Sequence, residues 1–126
     1  SAQELEDALA AVPKSRSEAI VAFPDAIMMR YSARFAAFSE KTRIPAISGW
    51  AQFAEGGNIM TYGPVLRDGF RRLAYFVDRI RKGAKPSDLP VELPRSVELV
   101  VNLKAAKALG IAIPQSIRVR ADRVIE

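Results

Sequence analysis

Three short apolar runs, each closed by a turn signal, limit what this chain can fold into more than any other feature. They are "AIVAF" at 19–23, closed by Pro24-Asp25; "IPAIS" at 44–48, closed by Gly49; and "NIMTY" at 58–62, closed by Gly63-Pro64. Continuous runs of this length suit strands buried on both faces, as in a parallel sheet. Patterns of helical period lie between and after them. Ile27, Tyr31, Phe35 and Phe38 recur every three or four residues behind Asp25. Lys41 and Arg43 stand near the end of that pattern, where cations complement the helix dipole. Leu66, Phe70, Leu73, Val77 and Ile80 form one stripe of a later helix that starts at Pro64 and stops at Gly83. Strands alternating with helices predict an α/β fold, a mostly parallel sheet flanked by helices with right-handed crossovers.

The remaining segments fill in that outline. "QELEDALAA" at 3–11 predicts a first helix, and "GWAQFAEGG" a loop with a short helical turn. "VELPRSVELVVN" at 91–102 reads as extended, interrupted at Pro94. "LKAAKALG" predicts a short helix stopped by Gly110, and the tail carries a last turn after Pro114. There is no internal repeat, and only the loop at 83–90 suggests a boundary.

Composition narrows the chemistry. The chain has 126 residues, 49% of them hydrophobic, so one domain with a real core is expected. It contains no Cys and no His. That removes disulfides, thiolate sites, the Ser-His-Asp triad and the commonest general base, and it argues against a hydrolase or a zinc enzyme. "EGGN" lacks the spacing of a phosphate loop, and no calcium-type loop is present. Neither a metal nor a cofactor is expected. Lys and Arg number 19 against 14 Asp and Glu, a net charge of +5 that is spread along the chain. On the Arg-rich helix, Arg67, Arg71, Arg79 and Arg81 are interleaved with Asp68 and Asp78. That pattern reads as a solvated face rather than a nucleic-acid surface.

In open α/β sheets, ligands bind outside the carboxyl ends of the strands. Here those ends supply Asp25, Ser48, Trp50, Tyr62 and Gly63. A carboxylate, hydroxyls, a phenol and an indole suit a small polar or amino-acid-like ligand, with Asp25 available to an amine. Each residue also has a structural reading. Asp25 can serve as an N-cap. Tyr62 can simply end a strand whose turn needs Gly63, and Trp50 can belong to the core.

Against this outline, "VAFPDAI", "YGP" at 62–64, "KGAKPSDLPVE" at 82–92 and "NLKAAKALGIAIP" at 102–114 resemble bacterial ABC-transporter substrate-binding proteins. The group is the type I periplasmic binding protein family that includes tryptophan and tyrosine transport proteins. The resemblance covers nearly the whole chain and matches the carboxyl-terminal lobe and tail. It implies a flavodoxin-like lobe spanning 1–126, with 64–86 as a helix and linker crossing to a first lobe. It also implies capture of a small organic solute, an amino acid or similar, for delivery to a membrane permease, without catalysis. A periplasmic or extracytoplasmic setting follows, with a signal peptide expected upstream. The alternative is a sensing or interaction lobe of a signalling protein. Relatives often carry Tyr or Pro where Ser48 and Gly49 stand, and Arg-Glu where Ala51 and Gln52 stand, so the aromatic preference of some members does not transfer. If the 64–82 helix belongs against a first lobe, its stripe is uncovered here, and self-association through it is expected.

Overall fold

The computed structural model describes residues 2–126; Ser1 of the expected lobe lies outside the described residues. The elements are α1 (Ala2–Ala11), β1 (Ile20–Ala22), α2 (Ala26–Arg30), α3 (Ser32–Thr42), β2 (Ala46–Ser48), α4 (Ala51–Glu55) and β3 (Met60–Pro64). They continue as α5 (Leu66–Arg81), β4 (Val97–Asn102), α6 (Leu103–Leu109), α7 (Gln115–Arg118) and β5 (Arg123–Ile125). The fold is α/β, with one five-stranded sheet in the order β1-β2-β3-β4-β5. β1, β2 and β3 are parallel; β4 runs antiparallel to β3, and β5 follows β4 in parallel. The first three strands therefore direct their carboxyl ends to one edge of the sheet, and β4 and β5 to the opposite edge. Among the described residues, no helix is long and apolar enough to cross a membrane.

The core forms as the two periodicities require. Leu5 and Leu9 of α1, Phe35 of α3 and Phe53 of α4 pack with Ala22 and Ala46 of the sheet. Phe35 meets Phe53 edge-on at 5.3 Å, a favoured aromatic geometry. A second cluster joins Ile59, Ala106 and Leu109, with Ile47, Met60, Ile111 and Ile113 against it.

α4 is only one turn and a half long, and its last carbonyls have no partner within the helix. Two buried asparagines meet them. Asn58 Nδ2 donates to Phe53 O at 2.9 Å and to Ser32 O at 2.9 Å. Asn102 Nδ2 donates to Ala54 O at 2.9 Å, while its Oδ1 accepts from Ala105 N and caps α6. Arg43, predicted near a helix end, takes the left-handed cap of α3 with φ 63° and donates from Nη1 to Ala108 O in the last turn of α6.

Several predicted boundaries move. The single helix expected after Asp25 breaks at Tyr31 (φ −102°, ψ 13°) into α2 and α3. The break turns Met28 and Met29 toward the core and leaves Ile27 exposed, so the predicted stripe is not continuous. β3 begins two residues later than "NIMTY" and runs through Pro64, so Pro64 ends a strand instead of opening a helix. The reason is the ladder. Pro64 lies opposite Val97, while Val65 N donates to Ser96 O at 3.1 Å, which directs the proline nitrogen away from β4. The extended 91–102 segment pairs only from Val97 onward. β5 lies in the tail, where only a turn was expected.

α5 ends as its sequence predicts. Gly83 has φ 97°, its N–H bonds to Ile80 O, and Ala84 N bonds to Arg79 O, closing a Schellman motif. The helix nevertheless buries no residue: Phe70, Leu73 and Val77 stay 68, 55 and 57% exposed.

Phe53 is fully buried at the centre of the first cluster. Its replacement by Ala is expected to cost about 3–5 kcal/mol, read as a lower urea midpoint at unchanged slope.

Candidate functional site

The carboxyl ends of β1, β2 and β3 converge because the register brings them level: Ala22 lies opposite Ser48, and Ser48 opposite Thr61. Beyond that row the chain turns three times. The turns touch through backbone. A Cβ added to Gly63 would lie 2.2 Å from Gly49 O and 2.8 Å from Gly49 C. A Cβ on Gly49 would in turn meet the Pro24 ring at 3.0 Å. Pro24, Gly49 and Gly63 thus form a seam, and a residue other than Gly at position 63 has no room.

The predicted site residues sit around this seam with different duties. Asp25 is the N-cap of α2; its Oδ1 accepts from Met28 N at 2.8 Å, and its side chain remains exposed. Ser48 is buried, and its hydroxyl donates to Ala22 O at 2.8 Å, stitching β2 to β1. Trp50 is half-buried at the start of α4, where no side chain caps the helix. Tyr62 is 62% exposed and lies opposite Leu99 across the ladder. Gly63 is the inner wall of the seam.

Trp50 also opens onto a groove of about 950 Å³. One wall is α5, with Leu66, Leu73 and Phe76; the other is the return segment from Pro86 to Ser96. Tyr62 does not line it. Across the end of this groove Arg72 Nε donates to Glu92 Oε2 at 2.7 Å, and Nη2 donates to Glu92 Oε1. The Arg72 guanidinium lies 3.7 Å from the Tyr75 ring centroid, within cation–π reach. The hydrogen bonds from Arg72 hold the Glu92 carboxyl below its ordinary range and raise the guanidinium in return.

Sequence reasoning reached the strand ends but missed two features. Gly49 and Pro24 were legible as turn residues, but the contacts of Gly49 with Gly63 on one side and Pro24 on the other join separate turns of the chain. Arg72 and Glu92 stand 20 residues apart, and nothing local in "GFRRLAYF" selects one arginine among several.

These observations define an α/β fold whose three parallel strand ends meet in one glycine-lined seam. The chain belongs to the ABC transporter substrate binding protein family, whose family model matches residues 1–125. Members of that family bind solutes and are non-enzymatic in general. No curated protein matches the chain. Among solved structures, the chain is similar to an ABC domain from Streptococcus pneumoniae in complex with L-Trp. The two are 26% identical with a TM-score of 0.88, over 99% of this chain and 42% of that one. A conserved domain protein from Vibrio cholerae gives 24% identity and a TM-score of 0.89, over 97% of this chain and 41% of that one. A ligand-free, open substrate binding protein with adhesive properties from Clostridium difficile gives 18% and 0.66, over 99% and 41%. The chain spans well under half the length of each.

Two expected outcomes test the site's geometry. Gly63→Ala forces apart two backbones that no flexible side chain separates; a loss of about 1–3 kcal/mol in urea unfolding is expected. Gly69→Ala, where an added Cβ meets nothing within 4 Å, is expected to gain about 0.5–1 kcal/mol by helix propensity. For Glu92 the folded-state pKa lies below the ordinary 4.5. Its pairing with Arg72 therefore stabilises the fold above that value and is lost only as pH falls through the lowered one. Carboxyl NMR should show a Glu92 midpoint below 4.5; a midpoint at or above it contradicts the pairing.

Proposed function

We propose that this chain is one lobe of the solute-capture protein of an ABC importer, holding a small organic solute, an amino acid or similar, in a cleft between two lobes. The observation that carries this reading is the seam of Pro24, Gly49 and Gly63, flanked by Asp25, Trp50 and Tyr62. It supplies an aromatic and carboxylate-bearing surface on one side only, as a half-site would. The 26% identical neighbour with L-Trp supports an amino-acid-like solute. The solute-loaded protein would dock on a membrane permease outside the cytoplasm, after export by an upstream signal peptide.

The helix α5 and the linker to Pro86 are then the crossing to the first lobe. Its uncovered Phe70, Leu73 and Val77 fit that role. Self-association through α5, the other expected cover for this stripe, finds no support in the comparisons. The greater length of the neighbours favours the first lobe as the cover instead.

The test joins this chain to the rest of its protein and titrates amino acids and small acids by calorimetry. Saturable binding is expected, with Trp50→Ala and Tyr62→Ala each weakening it about tenfold. The chain by itself should bind far more weakly, since half of the contacts are missing. Silence of the two-lobed protein across a broad panel overturns the reading. Leu73→Ser separates the two environments of α5. It should leave the isolated chain within about 0.5 kcal/mol of wild type, yet destabilise the two-lobed protein by about 2 kcal/mol.

A further inference from the structure

Sixteen residues make α5, and none is buried. A helix of that length is marginal in water when no apolar face is packed. Polar contacts to the return segment take the place of a core. Arg72 forks onto both oxygens of Glu92, stacked on Tyr75 at 3.7 Å with Phe76 at 5.2 Å. Arg95 Nη2 reaches Glu92 Oε2 at 3.3 Å. One turn earlier on the helix, Ser96 Oγ donates to Asp68 Oδ2 at 2.6 Å. The return segment itself has no helix or strand between Leu89 and Ser96, and Val91 and Leu93 are 101 and 86% exposed. Its path is therefore set by these contacts and not by burial.

The two ends of this assembly meet the sheet at one place. Pro64 and Val97 are register partners at the end of the β3–β4 ladder, and Val65 N donates to Ser96 O just beyond them. The chain leaves and re-enters across a single strand pair. Gly63 lies immediately before that point and is wedged against the Gly49 backbone. Rotation of the helix cannot pass into β3 without parting those two backbones, so bending is confined to residues after the seam.

We propose that the fork of Arg72 on Glu92 locks α5 and the return segment into one rigid arm that pivots at Val65 and Ser96, and that this lock sets how firmly the cleft at Tyr62-Gly63 closes on its solute. The second half rests on the function proposed above; the first does not. Arg72 and Glu92 act as positioning residues and make no contact with solute. Glu92 is the more critical of the two, because it neutralises both Arg72 and Arg95, and its removal leaves two guanidinium groups facing each other.

The lock is tested on the chain alone by amide hydrogen exchange. Glu92→Gln and, as a second variant, Arg72→Gln should speed exchange across α5 by about tenfold and leave β1–β4 unchanged. High salt should loosen the wild-type helix in the same way and add little in the variants, since the lock is ionic. Unchanged exchange in both variants overturns the rigid arm. The coupling is tested in the two-lobed protein by calorimetry at low and high salt. Glu92→Gln should weaken solute binding about fivefold and flatten its salt dependence, with the melting temperature of the sheet domain unmoved. If wild type binds and the variant matches it in affinity and salt response, the coupling is wrong. If wild type binds nothing, the proposed function fails, and the exchange data still decide the arm.

Discussion

Two asparagine side chains hold the part of this molecule on which the rest depends. α4 is too short to persist by itself, and its final carbonyls take partners from beyond the helix, the backbone N–H groups of Gly57 and Asn58 and two side chains. Asn58 and Asn102 donate to Phe53 O and Ala54 O from neighbouring strand ends. That anchors the fully buried Phe53 in the core. It also fixes the other end of the same helix, where Gly49 and Trp50 lead in from β2. Because Gly49 is set, Gly63 has a backbone surface to rest on, and the seam follows. Polar contacts at the far end of this short helix thus help fix the backbone geometry of the seam.

The molecule divides into parts governed by different forces. The sheet and its covering helices are held by burial and by the asparagine bonds, which salt barely affects. α5 and the return segment are held by charge, with partners 30 and 20% exposed and apolar residues left in water. This division places the least firmly held element directly after the seam of strand ends, and local openings of low free energy are concentrated in such elements.

Much of this was legible before any coordinates, and the reasons are specific. The runs at 19–23, 44–48 and 58–62 marked the three parallel strands by their continuous apolar signature, although burial on both faces fails for β1, the edge strand, where Val21 is 65% exposed. The Schellman ends at Gly83 and Gly110 were legible because positive φ selects glycine. β5 was not. "RVI" is short and lies between charged residues, and its pairing with β4 depends on Asp122, whose Oδ2 accepts from Leu99 N in a distant strand. The break at Tyr31 also escaped, since no Gly or Pro marks it. Among the site residues, Asp25 and Gly63 could be assigned from local turn chemistry. The hydroxyl of Ser48 could not, because its partner Ala22 is 26 residues away. The family resemblance supplied what periodicity could not, namely membership of the ABC transporter substrate binding protein family.

Trp50 is the only tryptophan in the chain, and it lies where the strand-end seam meets the groove along α5. The chain therefore contains its own optical reporter where the sheet meets the groove along α5. Indole emission shifts with the polarity around the ring, so its colour follows the hydration of that one groove with no competing signal from the core. The spectrum of the unlabelled chain is a readout of how α5 and the return segment pack beside that ring.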